Sequence, residues 1–278
     1  MKEAAPLGNC AAGSPPRSRT EPAIPYRLPV GLRVWLAAKG ISLALLAARE
    51  PGLSLATYLA VDPWLLWNIA VPRARGFGPV ASTFRTPRPE VWVTIDDGPD
   101  PATTPAVLAL LERHQARATF FLIGREAQKH PDLVREILLR GHTVENHTWS
   151  HPCWSFWCSG PNRLLSEIDR CNAALVAAGA PPPRYFRMPV GFKTPFLHPA
   201  VARRGLGVVA WSARGFDCTS HAAAATQRIF RGLRPGAIVL LHQGQAETRR
   251  VEVVARVLEG LAERGLRPVI PPPEALVW

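Results

Sequence analysis

From Glu90 to the carboxyl terminus, short apolar runs alternate with amphipathic ones. Val91 to Ile95, Ala118 to Ile123, Thr143 to Asn146, Tyr185 to Arg187, Gly207 to Trp211 and Ala237 to Leu241 read as strands. Between them, Thr104 to His114, Glu126 to Arg140, Asn162 to Ala178, Gln227 to Gly232 and Arg249 to Arg264 read as helices, the second stopping at Gly141. Strands that alternate with helices predict parallel βα units closing into an α/β barrel, whose chemistry gathers at the carboxyl ends of the strands.

The amino-terminal third follows a different pattern. Leu32 to Ala48 is apolar apart from Arg33 and Lys39, Arg49-Glu50-Pro51-Gly52 makes a turn, and Leu53 to Val71 is apolar again, interrupted at Asp62-Pro63. A simple membrane span wants about twenty apolar residues free of charge. These runs therefore predict a helical hairpin that dips into or lies on a bilayer, with Trp64 and Trp67 at the interface and Arg73 and Arg75 at the exit. A hairpin packed on the catalytic domain is the competing reading; a cleaved signal peptide fits less well, because the apolar run starts late and lacks a clear cleavage site. The expected organisation is a disordered tail over residues 1–25, rich in Ala, Pro, Ser and Arg, a hairpin over 26–80 and a catalytic domain over 88–278.

Composition narrows the class. A chain of 278 residues can bury a full core, with room for one barrel-sized domain and an extension. The formal charge of +12 suits nucleic acid, an anionic membrane or a phosphate-bearing substrate. Its basic residues, such as Arg113, Arg117, Arg125, Arg135 and Arg140, are scattered through helical segments without a nucleic-acid module, which favours a membrane surface and argues against nucleic acid. Five cysteines with no CxxC pair do not suggest a disulfide framework; Cys153 and Cys158 could pair, or simply line a pocket in their Trp-rich loop.

The chemistry concentrates in two places. Thr94-Ile95-Asp96-Asp97-Gly98-Pro99 sets adjacent carboxylates at the end of a predicted strand, where a turn lets both face one site. Like charges this close divide their roles when one binds metal and the other moves protons, although Asp-Gly-Pro alone is equally ordinary turn chemistry. Downstream, His147 and His151 have the spacing that puts two imidazoles on one face of a helical turn. With Asp97 they form a His2Asp set, the open donor arrangement of a catalytic rather than a structural metal, for which zinc is the first expectation and other divalent ions such as cobalt or manganese are compatible.

Thr94 to Pro99, His147 to His151, Arg187-Met188-Pro189-Val190-Gly191, Trp211 to Asp217 and Leu240-Leu241-His242 together resemble the five ordered motifs of the polysaccharide deacetylases, the NodB-homology domain of carbohydrate esterase family 4. The resemblance runs from about Glu90 to the carboxyl terminus. It implies a distorted (β/α) barrel, a divalent metal and hydrolysis of N-acetyl groups on sugars. It also implies Asp97, His147 and His151 as metal ligands, Asp96 as the base that takes a proton from water and Arg187 as the group that keeps Asp96 ionised. The backbone N–H of Val190 would meet the oxyanion, His242 would protonate the departing amine with Asp217 orienting it, and Leu240, Pro189, Trp149 and Trp211 would contact substrate.

The chain departs from the family pattern in carrying Val190 for an aromatic residue, Arg214 for an aspartate and Cys218 for a tryptophan. These changes fall on the substrate groove rather than on the hydrolytic step, and Trp149, Trp154, Phe156 and Trp157 offer a replacement stacking surface or a cap over the barrel. The expected activity is deacetylation of an amino-sugar glycan or of a lipid-linked or membrane-proximal glycan at a bacterial inner membrane. A sugar O-acetyl esterase or N-deformylase would use the same machinery, and a non-catalytic glycan-binding or membrane scaffold would keep the fold without it.

Overall fold

The computed structural model describes Leu28, residues 30–244 and residues 248–278, so the expected tail over residues 1–25 lies outside the described residues. Three helices come first: α1 (Val30–Ala47), α2 (Pro51–Ala60) and α3 (Asp62–Ala70). The βα succession follows: β1 (Glu90–Asp97), α4 (Thr104–Arg113), β2 (Ala118–Leu122), α5 (Gly124–Lys129), α6 (Pro131–Leu139), β3 (Thr143–Asn146), α7 (Pro161–Ala177) and β4 (Tyr185–Phe186). After a 3-10 turn over Pro189–Gly191 come α8 (Leu197–Ala202), β5 (Gly207–Val208), β6 (Ala213–Arg214), α9 (Ala222–Gly232), β7 (Ile238–His242), α10 (Thr248–Glu263) and β8 (Arg267–Pro268).

The sheet runs in the order β5-β4-β3-β2-β1-β7-β6, with β8 pairing the start of β1, and its strand pairs are parallel. It is a curled parallel sheet flanked by helices, the distorted (β/α) barrel that the resemblance implies. The expected helix over 126–140 is two helices, because the residue before Pro131 is driven out of the helical region and His130 sits at φ −127°, ψ 57°.

The pleat decides what faces the site. In β1, Val91, Val93 and Ile95 point outward into the core shared with the helices, and Trp92 joins the inner core with Phe121, Phe186 and Leu240. In β7, Val239 and Leu241 face outward, while Ile238 and Leu240 face inward. Two-residue periodicity then carries Thr94, Asp96 and His242 to the inner side, and Asp96 is the direct register partner of His242. Burying a side chain such as Phe121 or Leu240 contributes about 1.5–3 kcal/mol; here the same alternation aims the reactive groups. Phe77, Val80 and Phe84 are also buried, so the strand-poor segment after the hairpin packs into the inner core and its edge, with bridges from Ala81 to Val209 and Phe84 to Leu276.

Candidate active site

Asp96 and Asp97 reach one site because the strand turns on its last residue: Asp97 adopts φ 71° and Gly98 φ 47°. Asp96 is buried, with Oδ1 receiving a 2.6 Å bond from Arg187 Nη1. Arg187 is itself fully buried and commits four of its five N–H donors: besides Asp96, Nη1 reaches Thr94 Oγ1 at 2.7 Å, Nε reaches the Val209 carbonyl at 3.2 Å and Nη2 the Ala210 carbonyl at 3.1 Å. Its guanidinium lies 4.0 Å from the Phe121 ring centroid. Burial raises Asp96 above the usual carboxylate range against the opposing pull of Arg187, which makes it a stronger proton acceptor than an exposed aspartate.

The two histidines meet without a helix. The expected helical turn is instead an irregular loop in which Thr148 and His151 take φ 66° and 51°, and the ring centroids stand 4.8 Å apart. The Asn146 side chain accepts from Thr148 N at 2.8 Å, Thr148 Oγ1 accepts from His151 N at 3.0 Å, and Glu167 on α7 takes both Ser150 N and Ser150 Oγ. His147 Nδ1 is paired with the Arg187 carbonyl at 2.9 Å, which fixes Nδ1 as the protonated nitrogen and frees Nε2. Burial pushes His147 well below its ordinary pKa and lowers His151, so both rings are neutral, the form that ligates metal.

His147 Nε2 lies 3.7 Å and His151 Nε2 3.6 Å from Asp97 Oδ1. That oxygen is buried and has no hydrogen-bond partner among the described residues, which in a folded site marks a place for a cation. The donor set of Asp97, His147 and His151 thus fits a divalent metal. Asp97 Oδ2 is held at 3.2 Å by Arg250 Nη1, whose guanidinium also donates to the Gln243 carbonyl at 2.8 Å. Arg250 belongs to α10 and lies 153 residues from Asp97, so neither motif nor spacing singles it out.

On the other side of Asp96, Asp217 accepts from His242 twice, Oδ2 from the backbone N at 2.9 Å and Oδ1 from Nδ1 at 2.8 Å. Burial opposes the charged form of His242, but the Asp217 carboxylate outweighs it and holds the imidazole well above its ordinary pKa. Cys218 stands beside this pair. Val190 sits at φ 57°, ψ 0°, a left-handed conformation costly for a β-branched residue and frequent where a backbone group is aimed at a ligand. Pro189 and Leu240 are buried, and Trp211 packs so close to Gly191 that a Cβ there would meet its ring at 2.8 Å.

The expected aromatic surface does not hold together. Trp149 lies under the Arg170 guanidinium at 4.1 Å and lines a cleft among α5, α6 and α7 with Ala127 and Pro131, on the outer helical face. Phe156 stacks on Phe186 in the inner core, and Trp154 is exposed. Another stack stands at the rim, with Arg214 3.8 Å from the Phe216 ring and 5.3 Å from that of Trp211, so the arginine that replaces the family's aspartate joins two aromatic faces. Cys153, Cys158, Cys171 and Cys218 are free thiols, with Cys153 Sγ 3.1 Å from His151 Nδ1.

Residues 84–209 match the polysaccharide deacetylase family. The chain is 33% identical over 193 residues to a chitooligosaccharide deacetylase of Sinorhizobium fredii, covering 65% of this chain and 89% of that one. It is 31% identical to a peptidoglycan-N-acetylglucosamine deacetylase of Bacillus cereus, covering 66% of this chain and 88% of that one. Among solved structures, a family 4 carbohydrate esterase from Streptomyces lividans in complex with acetate superposes with a TM-score of 0.61 at 30% identity, over 68% of this chain and 96% of that one. The chain belongs to the polysaccharide deacetylases, the NodB-homology domain of carbohydrate esterase family 4.

Proposed function

We infer that the protein is a metal-dependent hydrolase that removes the N-acetyl group from N-acetylglucosamine units of a glycan. The observation that carries this reading is the orphaned, buried Asp97 Oδ1 facing two neutral imidazoles, with a base and an acid already oriented on either side. Similar proteins that act on chitooligosaccharide and on peptidoglycan N-acetylglucosamine support the substrate class. Asp97, His147 and His151 would hold the ion, with zinc the best match to two imidazoles and one carboxylate. When bound, a divalent ion there polarises the acetyl carbonyl and lowers the pKa of the attacking water.

The chain's own residues do the rest. Arg187 occupies Asp96 Oδ1, which leaves Oδ2, on the side of His147, to take the proton from water as its oxygen adds to the acetyl carbon. The charge that develops on the carbonyl oxygen meets the Val190 N–H, whose strained backbone is already in place and needs no reorganisation during the reaction. Asp217 occupies His242 Nδ1, so the proton for the departing amine comes from Nε2 as the carbon–nitrogen bond breaks, giving acetate and a free amino sugar. The high pKa imposed by Asp217 keeps that proton available at neutral pH. Trp211, Phe216 and Arg214 form the rim on which a pyranose ring would lie.

The purified protein, stripped with chelator and reloaded with zinc, is expected to release acetate from N-acetylglucosamine oligomers. Release of formate from N-formyl sugars alone would reassign the acyl group, release of acetate from O-acetyl sugars alone would reassign the bond cleaved from amide to ester, and no release from any of them would favour a glycan-binding scaffold.

A further inference from the structure

The helical hairpin is built inside out. Its outward faces carry Leu36, Ile41, Leu43, Leu55, Leu59 and Trp67, all exposed, whereas the residues buried within it are Leu32, Ser42, Ser54 and Asn68. Every one of these buried polar groups is satisfied internally. Ser42 Oγ donates to the Ser54 carbonyl at 2.9 Å and Ser54 Oγ to the Ser42 carbonyl at 2.8 Å, which ties α1 to α2. Asn68 donates to the Trp64 carbonyl and accepts from Gly76 N. The cation in the middle of α1 is also neutralised within the hairpin: Lys39 Nζ lies 2.6 Å from Asp62 Oδ1, the oxygen that also receives Trp35 Nε1 at 3.1 Å.

In water this distribution is costly, since exposed apolar area and internally paired polar groups are the reverse of what water rewards. In hydrocarbon it is the stable one, because each polar group must find its partner inside the protein and small hydroxyl residues between helices supply those bonds. The dimensions agree. At 18 residues α1 is about 27 Å long by helical rise, close to the ~30 Å of a bilayer's hydrocarbon, and only 11% of it is buried.

The base of the hairpin is joined to the catalytic machinery. Lys193 N donates to the Ile69 carbonyl at 3.0 Å, and Lys193 Nζ fills its three donor positions with the carbonyls of Val71, Pro72 and Ala74 at 2.6, 3.0 and 2.8 Å. Gly191, next to the expected oxyanion donor Val190, lies so close to Pro72 that a Cβ would meet its ring at 2.5 Å. Arg73 and Arg75 flank these contacts, where anionic headgroups would lie. The strand ends that carry Asp96 and His242 therefore open beside the point at which the hairpin leaves the domain.

We propose that the hairpin is embedded in a phospholipid bilayer and that the acetylated sugar reaches the site on a lipid anchor held in the same bilayer. The first half stands on the hairpin alone; the second rests on the deacetylase reading above. A lipid anchor confines the sugar to the membrane plane, where the hairpin fixes the site, so encounter becomes two-dimensional and the effective substrate concentration rises.

The test uses the 278-residue chain and vesicles of phosphatidylethanolamine and phosphatidylglycerol. Wild-type protein is expected to float with the vesicles in 1 M NaCl, a concentration at which the Debye length is about 3 Å and purely electrostatic binding is lost. Leu43→Glu with Leu55→Glu, both on the outward face, is expected to abolish flotation while leaving the melting temperature of the catalytic domain unchanged. Salt-stripped wild type, or a double variant that floats as well as wild type, overturns the membrane placement. For the substrate, N-acetylglucosaminyl polyprenyl phosphate in these vesicles is compared with water-soluble chitotetraose. At least tenfold higher kcat/KM for the lipid-borne sugar supports the proposal, equal or better turnover of chitotetraose overturns its second half and leaves the deacetylase reading intact, and turnover of neither counts against the deacetylase reading itself.

Discussion

Replacing Arg187 with methionine isolates the largest single electrostatic commitment in the site. The guanidinium is fully buried and makes four hydrogen bonds, two of them to Asp96 and Thr94 and two to the carbonyls of Val209 and Ala210. Methionine keeps most of the volume and the contact with Phe121 but leaves the Asp96 carboxylate buried without its counter-charge. Breaking a buried pair in this way costs about 3–5 kcal/mol, because the desolvated partner is stranded. For a chain of this size about 1 kcal/mol moves Tm by roughly 2–4 °C, so the expected fall is on the order of 6–20 °C. Thermal unfolding is followed by circular dichroism in the presence of chelator, which removes the stabilisation that metal binding adds to the native state. Arg187→Met combined with Asp96→Asn removes both charges and is expected to recover roughly 1–3 kcal/mol relative to the sum of the single substitutions. A single variant that melts within about 2 °C of wild type, or additive effects in the cycle, would refute the claim that Arg187 is there for Asp96.

Asp217→Asn removes the charge that raises the His242 pKa, so the acid form is lost at lower pH: kcat should fall by about 10²–10⁴ and the alkaline limb of the rate profile should move down, and an unmoved limb would exclude His242 as the acid. Arg250→Gln should weaken metal binding by roughly 10–100-fold in a competition titration with a chelating dye, since Asp97 loses the partner on its second oxygen; unchanged affinity would show that the 3.2 Å contact does not position the ligand. Burial raises Glu145 from 4.5 to about 7 against its bonds from Arg184 N and Tyr185 N, so its contribution to stability is complete below pH 4.5 and fades as pH rises through 7, by about 3 kcal/mol. Glu145→Gln should therefore flatten the stability profile between pH 4.5 and 7 in urea titrations, and a profile that keeps its slope would assign the dependence elsewhere.

Much of this arrangement is legible in the chain because the pleat imposes a period of two: once Val91, Val93 and Ile95 are assigned to the helix-facing side, Asp96 must face inward, and the same count in β7 brings His242 beside it. The break at Pro131 could be read from the proline, whereas β6 (Ala213–Arg214) and β8 (Arg267–Pro268) each pair an arginine with one small or cyclic residue and stand in no apolar run, unlike the equally short β4 and β5. The His147 and His151 spacing names two rings that the fold does bring together, but not through a helical turn, since left-handed residues at Thr148 and His151 replace it. Trp149 has the metal ligands as its neighbours in sequence, yet it packs under Arg170 on the outer face. Arg250 and Lys193 carried no signal at all. Their partners lie far away in sequence, and a lone basic residue says nothing about which carboxylate or carbonyl it will meet.

The most direct test of the account is acetate release by the chelator-stripped protein, with and without stoichiometric zinc, measured beside Asp96→Asn on N-acetylglucosamine substrates in soluble and lipid-borne form. Zinc-restored release by the wild type that drops by at least 10²-fold in Asp96→Asn, with metal affinity retained in the variant, is the predicted result. Release that is indifferent to zinc, or that survives Asp96→Asn unchanged, would contradict it.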